Sequence, residues 1–104
     1  FAAHLDTVNL ISSPERYFNN AALTNECFDK LGPVIKSIHI KDILLDTRLT
    51  VHLDECLVGK GGYDLHALLR RAGELDADMP VLVEHIDNQQ DYADSVVYLK
   101  SLLA

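Results

Sequence analysis

The sequence predicts an α/β fold whose strands run parallel, and three observations carry that prediction. Strand-like and helical segments alternate along the 104 residues in the order β-α-β-α-β-α. Two of the strand segments, Ile38-His39-Ile40 and Val81-Leu82-Val83, carry apolar residues on both faces, as strands covered by helices on each side do. Recognisable helix starts and stops separate them.

Each element has its own local reason. Residues 2–6, Ala-Ala-His-Leu-Asp, form a short strand. Ser13-Pro14-Glu15 then starts a helix, with Ser as N-cap and Pro at the first helical position. A second helix runs from Asn20 to Leu31, with Ala22, Cys27 and Leu31 near one face, and Gly32-Pro33 stops it. Val34 to Asp42 is the second strand. The stretch from Ile43 to Gly62 shows no period and closes in Gly59-Lys60-Gly61-Gly62; connections that long in small domains usually carry function. Asp64 caps a helix through Arg71 whose Leu65, Leu68, Leu69 and Ala72 share a face. Met79-Pro80 leads into the third strand, Val81 to His85. Asn88 opens the last helix, where Tyr92, Val96, Leu99 and Leu103 recur at helical spacing.

Composition bounds the function. The chain is 48% hydrophobic and 24% charged, has a formal net charge of −7, and contains no apolar run of membrane-spanning length. That charge disfavours a sequence-independent grip on nucleic acid, which needs clustered Lys and Arg. Cys27 and Cys56 lack CxxC spacing and follow no signal peptide, so both read as reduced thiols of a cytoplasmic protein.

Two parallel architectures fit this order: an open doubly wound sheet and a segment of a (β/α)8 barrel. The first would carry a glycine-rich phosphate loop after its first strand, but Leu5-Asp6-Thr7-Val8-Asn9 has no glycine. Gly59-Lys60-Gly61-Gly62 follows no strand directly and lacks the Lys-Ser/Thr of a P-loop, which leaves it as a flexible entry to the helix at Asp64. The polar strand ends say more. Successive strand residues point to opposite faces, so His4 pairs with Asp6, His39 with Lys41 and Leu82 with Glu84. Each strand thus sends an ionisable side chain one way at its C-terminal end, where parallel α/β proteins bind ligands. Asp6, His39 and Glu84 together make a mixed oxygen and nitrogen shell for a divalent metal ion; the alternative is three separately solvated strand ends, with His39 a hydrogen-bonded core imidazole.

Asp6-Thr7-Val8-Asn9-Leu10, Ile38-His39-Ile40-Lys41-Asp42, Glu55 with Gly59-Lys60-Gly61, and Val83-Glu84-His85 resemble, in order and spacing, the last three βα units of the xylose isomerase-like TIM barrels. The branch they are most similar to is the sugar phosphate isomerase/epimerase group, with inosose dehydratases and AP endonuclease family 2 as relatives. The resemblance implies that residues 1–104 are the C-terminal part of a single barrel domain, a partial (β/α)8 barrel. It implies one divalent ion, manganese, magnesium, cobalt or zinc, with Asp6, His39 and Glu84 as its ligands in this chain. The family's first glutamate ligand belongs to an earlier strand outside this sequence. A whole barrel takes about 250 residues, so the other units are removed by proteolysis, absent from the structure or supplied by a separate chain. A chain that enters a strand almost at once from Phe1 fits such a piece.

The implied activity is isomerisation or epimerisation of a sugar, sugar phosphate or polyol, by proton abstraction next to a carbonyl through a metal-stabilised enediolate. Glu84 is the catalytic base or acid. Lys41 either neutralises a developing oxyanion and binds a substrate hydroxyl, or forms an ion pair with Asp42 or Glu84. Asn9 and Glu55 are candidates for binding substrate, and His85, on the other face from Glu84, is a packing or supporting residue. Departures from the family narrow this. The endonuclease branch has a histidine where Asn9 stands and an Asp-x-His before the glycine loop, from which His52 is offset, so a one-metal site is expected and DNA repair drops in rank. Epimerases of the family often carry an arginine in this loop to hold substrate; none lies between Arg48 and the glycines, so sugar-phosphate or ketose recognition does not carry over from the resemblance. An inosose-type dehydratase, a phosphodiester hydrolase and a catalytically inactive fragment or binding subunit are the alternatives. The fragment alone is expected to be inactive, and to self-associate or dock on the rest of its barrel because its sheet edges and inner face are unpaired.

Overall fold

In the computed structural model, which describes residues 2–48, 50–84 and 87–103, three parallel strands form the central sheet. They are β1 (Ala3–Leu5), β2 (Ile35–Ile40) and β5 (Val81–Val83), side by side in the order β1-β2-β5. Backbone bonds from Ile38 N–H to the Pro80 carbonyl (2.9 Å) and from Glu84 N–H to the Ile40 carbonyl (2.9 Å) continue the β2–β5 ladder past the ends of β5. Helices α1 (Pro14–Phe18) and α2 (Asn20–Leu31) connect β1 to β2; α3 (Leu65–Leu75) precedes β5 and α4 (Gln89–Leu102) follows it. The mixed α/β class with parallel strands is as the sequence predicts.

Local chemistry explains the helix ends. The Ser13 hydroxyl accepts from Arg16 N–H, the Asp64 carboxylate from Ala67 N–H and the Asn88 amide oxygen from Asp91 N–H, each satisfying a donor that the first turn leaves over. The α2 boundaries match the sequence reading, but its buried side chains are Asn20, Thr24, Cys27 and Phe28. Ala22 and Leu31 are exposed. The helix therefore presents a face turned away from the one that its apolar residues alone would select, because Asn20 and Thr24 find polar partners inside. The Asn20 amide donates to the Tyr17 and Gly62 carbonyls (2.7 and 2.9 Å), and Thr24 Oγ1 is bonded to the Tyr63 hydroxyl (2.7 Å). Burial pushes that Tyr63 hydroxyl up to about 12. Helix α3 extends one turn beyond Arg71, to Leu75. In α4, Ser95 and Leu99 are buried while Tyr92 is exposed, as is Leu103 just past its end.

Two further expectations need correction. The strand predicted over Val34–Asp42 ends at Ile40, and Asp42 begins a second, antiparallel pair: β3 (Asp42–Leu45) with β4 (Leu53–Cys56). The stretch read as an aperiodic connection is thus largely a β-hairpin. Its pairing is between residues, not within a repeating pattern, so periodicity does not reveal it. Nor are the central strands covered on both faces. Leu5, Ile38 and Ile40 are buried in one core with Cys27 and Phe28 of α2, Leu65 and Leu68 of α3 and Leu99 of α4. On the opposite face His4 is exposed, Ser37 and His39 are half-buried, and Leu82 remains 51% exposed.

No helix among the described residues is long and apolar enough to cross a membrane. Cys27 and Cys56 are both free.

Candidate functional site

The C-terminal ends of β1, β2 and β5 lie next to one another because the strands are parallel and adjacent, and their last side chains meet there. Asp6 follows β1 and caps the 3₁₀ turn Thr7–Leu10; His39 is the penultimate residue of β2, paired in register with Leu82; Glu84 follows β5. One donor atom from each of Asp6, His39 and Glu84 falls within 4.8 Å of the others, and all three residues are half-buried. Donors at about 2.1 Å from one ion in a tetrahedral shell stand about 3.4 Å apart, so the three groups would have to draw together to share one. Glu84 Oε1 faces His39 Nδ1 directly.

Lys41, only 5% exposed, occupies the centre of this cluster. Its ammonium lies 3.2 Å from Asp6 Oδ2, 2.8 Å from Glu55 Oε1 and 3.6 Å from Glu84 Oε2, and it donates to Asn9 Oδ1 at 2.8 Å. Burial disfavours the charged form, but hydrogen bonds and charges from Glu55 and Asp6 outweigh it and hold the lysine above its ordinary pKa. The sequence-predicted site residues Asp6, Asn9, His39, Lys41, Glu55 and Glu84 therefore surround one point. Glu55 reaches it from β4, carried over by the hairpin. The cluster sets the carboxylates of Asp6, Glu55 and Glu84 against one ammonium, an excess of acidic groups that a divalent cation would offset. The donor set of two carboxylates and an imidazole suits such an ion.

The ion pair considered between Lys41 and Asp42 is not formed, for strand geometry sends adjacent side chains to opposite faces. Asp42 is 1% exposed and turns instead into the hairpin's base. Its Oδ1 accepts from the N–H groups of Ile43 and Tyr63 (both 2.9 Å), and its Oδ2 from those of Gly59 (2.9 Å) and Gly61 (3.1 Å). The glycine loop, expected to be a flexible entry to α3, is in this way clamped to the start of β3. Gly59 has φ +87°, and a Cβ on Gly61 would strike the Ile43 carbonyl. The signal in the sequence was the pairing of a buried-looking Asp with closely spaced glycines, whose N–H groups can converge on an anion.

His4 is the other residue that sequence reasoning left unassigned. Its Nε2 meets His39 Nε2 and its Nδ1 meets Ser37 Oγ. His52 stays away from the cluster, beside Thr50. Burial, with Asp42 and Asp54 nearby, pushes the Cys56 thiol up to about 11, so it is no nucleophile at neutral pH. His85 lies outside the described residues. Comparison of the chain with models of protein families, with curated proteins and with solved structures finds no match.

Proposed function

We propose that this chain is the C-terminal part of a xylose isomerase-like (β/α)8 barrel and that it works as a metal-dependent isomerase or epimerase of a sugar, sugar phosphate or polyol. The observation that carries the reading is the convergence of Asp6, His39 and Glu84 from three neighbouring parallel strands. The sheet order supports a barrel segment over a doubly wound sheet, since β1, β2 and β5 follow one another without the reversal that marks a switch point. The uncovered face bearing His4, His39 and Leu82 corresponds, in this reading, to a barrel interior that further units would close.

Asp6, His39 and Glu84 would hold one divalent ion, the remaining protein ligand coming from an earlier strand. When bound, the ion polarises a substrate carbonyl and so acidifies the neighbouring C–H. Glu84, with one oxygen toward His39 and the other 3.6 Å from Lys41, would take that proton and return it. Lys41 neutralises negative charge that develops on substrate oxygen, and holds Glu55 and Asn9 where they can meet substrate hydroxyls. Phosphodiester hydrolysis is less well supported, because Asn9 and the offset His52 withhold the nitrogen ligands that a three-metal centre needs.

The test is manganese titration of the chain by calorimetry, followed by assay of the chain joined to its upstream units on keto sugars, inososes and abasic DNA in D2O. Expected are one ion per chain, binding lost in Asp6→Asn and Glu84→Gln, and deuterium entering keto sugars next to the carbonyl. Water elimination from inososes alone would favour the dehydratase, and cleavage of abasic DNA would overturn the reading.

A further inference from the structure

We infer that His4 is a positioning residue for the metal centre: it accepts a hydrogen bond from His39 and, with Ser37, fixes which ring nitrogen of His39 is offered to the ion. The inference rests on the reading of Asp6, His39 and Glu84 as one metal shell. His39 turns Nδ1 toward the Glu84 carboxylate and Nε2 away from it, toward His4 Nε2. Nδ1 is therefore the nitrogen that faces Glu84. A neutral imidazole that binds an ion through one nitrogen carries its proton on the other, and that N–H needs an acceptor.

The acceptor at hand is His4 Nε2. For that atom to hold a lone pair, the His4 proton must be on Nδ1, where it meets the Ser37 hydroxyl oxygen. The proton placement is thus consistent from end to end: ion, His39 Nδ1, His39 Nε2–H to His4 Nε2, His4 Nδ1–H to Ser37 Oγ. The backbone supports it as well. His4 and Ser37 are paired residues of β1 and β2, and the two imidazoles pack edge to face with centroids 3.9 Å apart at 80°. Among the described residues no carboxylate is bonded to His39 Nε2, so an imidazole occupies the place that a carboxylate or carbonyl often fills beside metal-bound histidines.

Zinc titration by calorimetry, with long-range proton–nitrogen NMR of the imidazole rings in the zinc-loaded chain, tests this. His4→Ala should weaken zinc binding by about 10- to 100-fold, the usual loss when such a supporting partner is removed. His4→Gln, whose amide oxygen still accepts, should recover most of it. In the loaded wild type the His39 proton should be on Nε2 and the His4 proton on Nδ1. Wild-type affinity in His4→Ala, failure of His4→Gln to recover what His4→Ala loses, or a His39 proton on Nδ1 would overturn the role of His4. If His4→Ala does not fold, the proton positions in the wild type decide. The metal shell itself is judged separately by Asp6→Asn and Glu84→Gln: zinc binding unchanged in both would overturn the shell and, with it, this inference, whereas loss in both alongside wild-type binding in His4→Ala would overturn His4 alone.

Discussion

Lys41 is the residue on which the electrostatics of the site turn. Its ammonium is buried among Asp6, Glu55 and Glu84, whose charges would repel one another without it. Because the folded-state pKa is raised, its stabilising contribution is present at all pH values below the ordinary lysine pKa of about 10.4 and is lost as pH rises through the higher folded value. Replacing it by Met removes that contribution and also a cation that competes with any metal ion. Lys41→Met should therefore lower the urea midpoint at pH 7, with the difference from wild type closing only as pH rises through the raised folded-state pKa of the lysine. The same variant should bind manganese more tightly, on the order of tenfold. Equal urea midpoints at pH 7, or weaker manganese binding, would show that the lysine does not hold the carboxylates together.

Among the elements, the β3–β4 hairpin decides whether Glu55 reaches the site, and Asp42 decides where the hairpin sits. One buried carboxylate receives N–H donors from β3 itself, from Gly59, from Gly61 and from Tyr63. Removing it would strand several buried donors at once, each costing about 1–3 kcal/mol. Asp42→Ala should destabilise the fold by about 3–5 kcal/mol in denaturant unfolding. Gly61→Ala, which drives a methyl group against the Ile43 carbonyl, should destabilise by more than the about 1 kcal/mol that a strain-free glycine-to-alanine change gains. A loss below about 1 kcal/mol in Asp42→Ala would mean that the loop finds its place without the clamp.

For the whole molecule, the unequal covering of the sheet matters most. Helices bury Leu5, Ile38 and Ile40, while His4 and Leu82 stand open on the other face and both outer strands of the central sheet have a free edge among the described residues. Free edges beside exposed apolar side chains favour association; the net charge of −7 opposes it. In sedimentation equilibrium the chain should show a mean mass that rises with concentration, more steeply at 0.5 M salt, where repulsion is screened to about one Debye length of 4 Å. Leu82→Glu should keep it closer to the monomer. A wild-type chain that remains monomeric at high concentration and high salt would contradict this.

The sequence by itself determined what local bonding determines. Ser13, Asp64 and Asn88 each cap a helix through a donor only three residues away, and the α2 boundaries follow from neighbours equally close. The meeting of Asp6, His39 and Glu84 was legible for a similar reason: alternation along a strand fixes the face, and parallel strands put their C-terminal ends together. Tertiary structure alone decided the rest. Which side of α2 is buried depends on polar partners as distant as Gly62 and Tyr63, and the hairpin depends on Asp42 finding Cys56. The contact of His4 with His39 depends on a register shift between Ala3 and His4, and the hold on the glycine loop on an aspartate 17 and 19 residues before the glycines it binds. Such contacts are set by how the packed elements lie in space, and no periodicity in the chain records that.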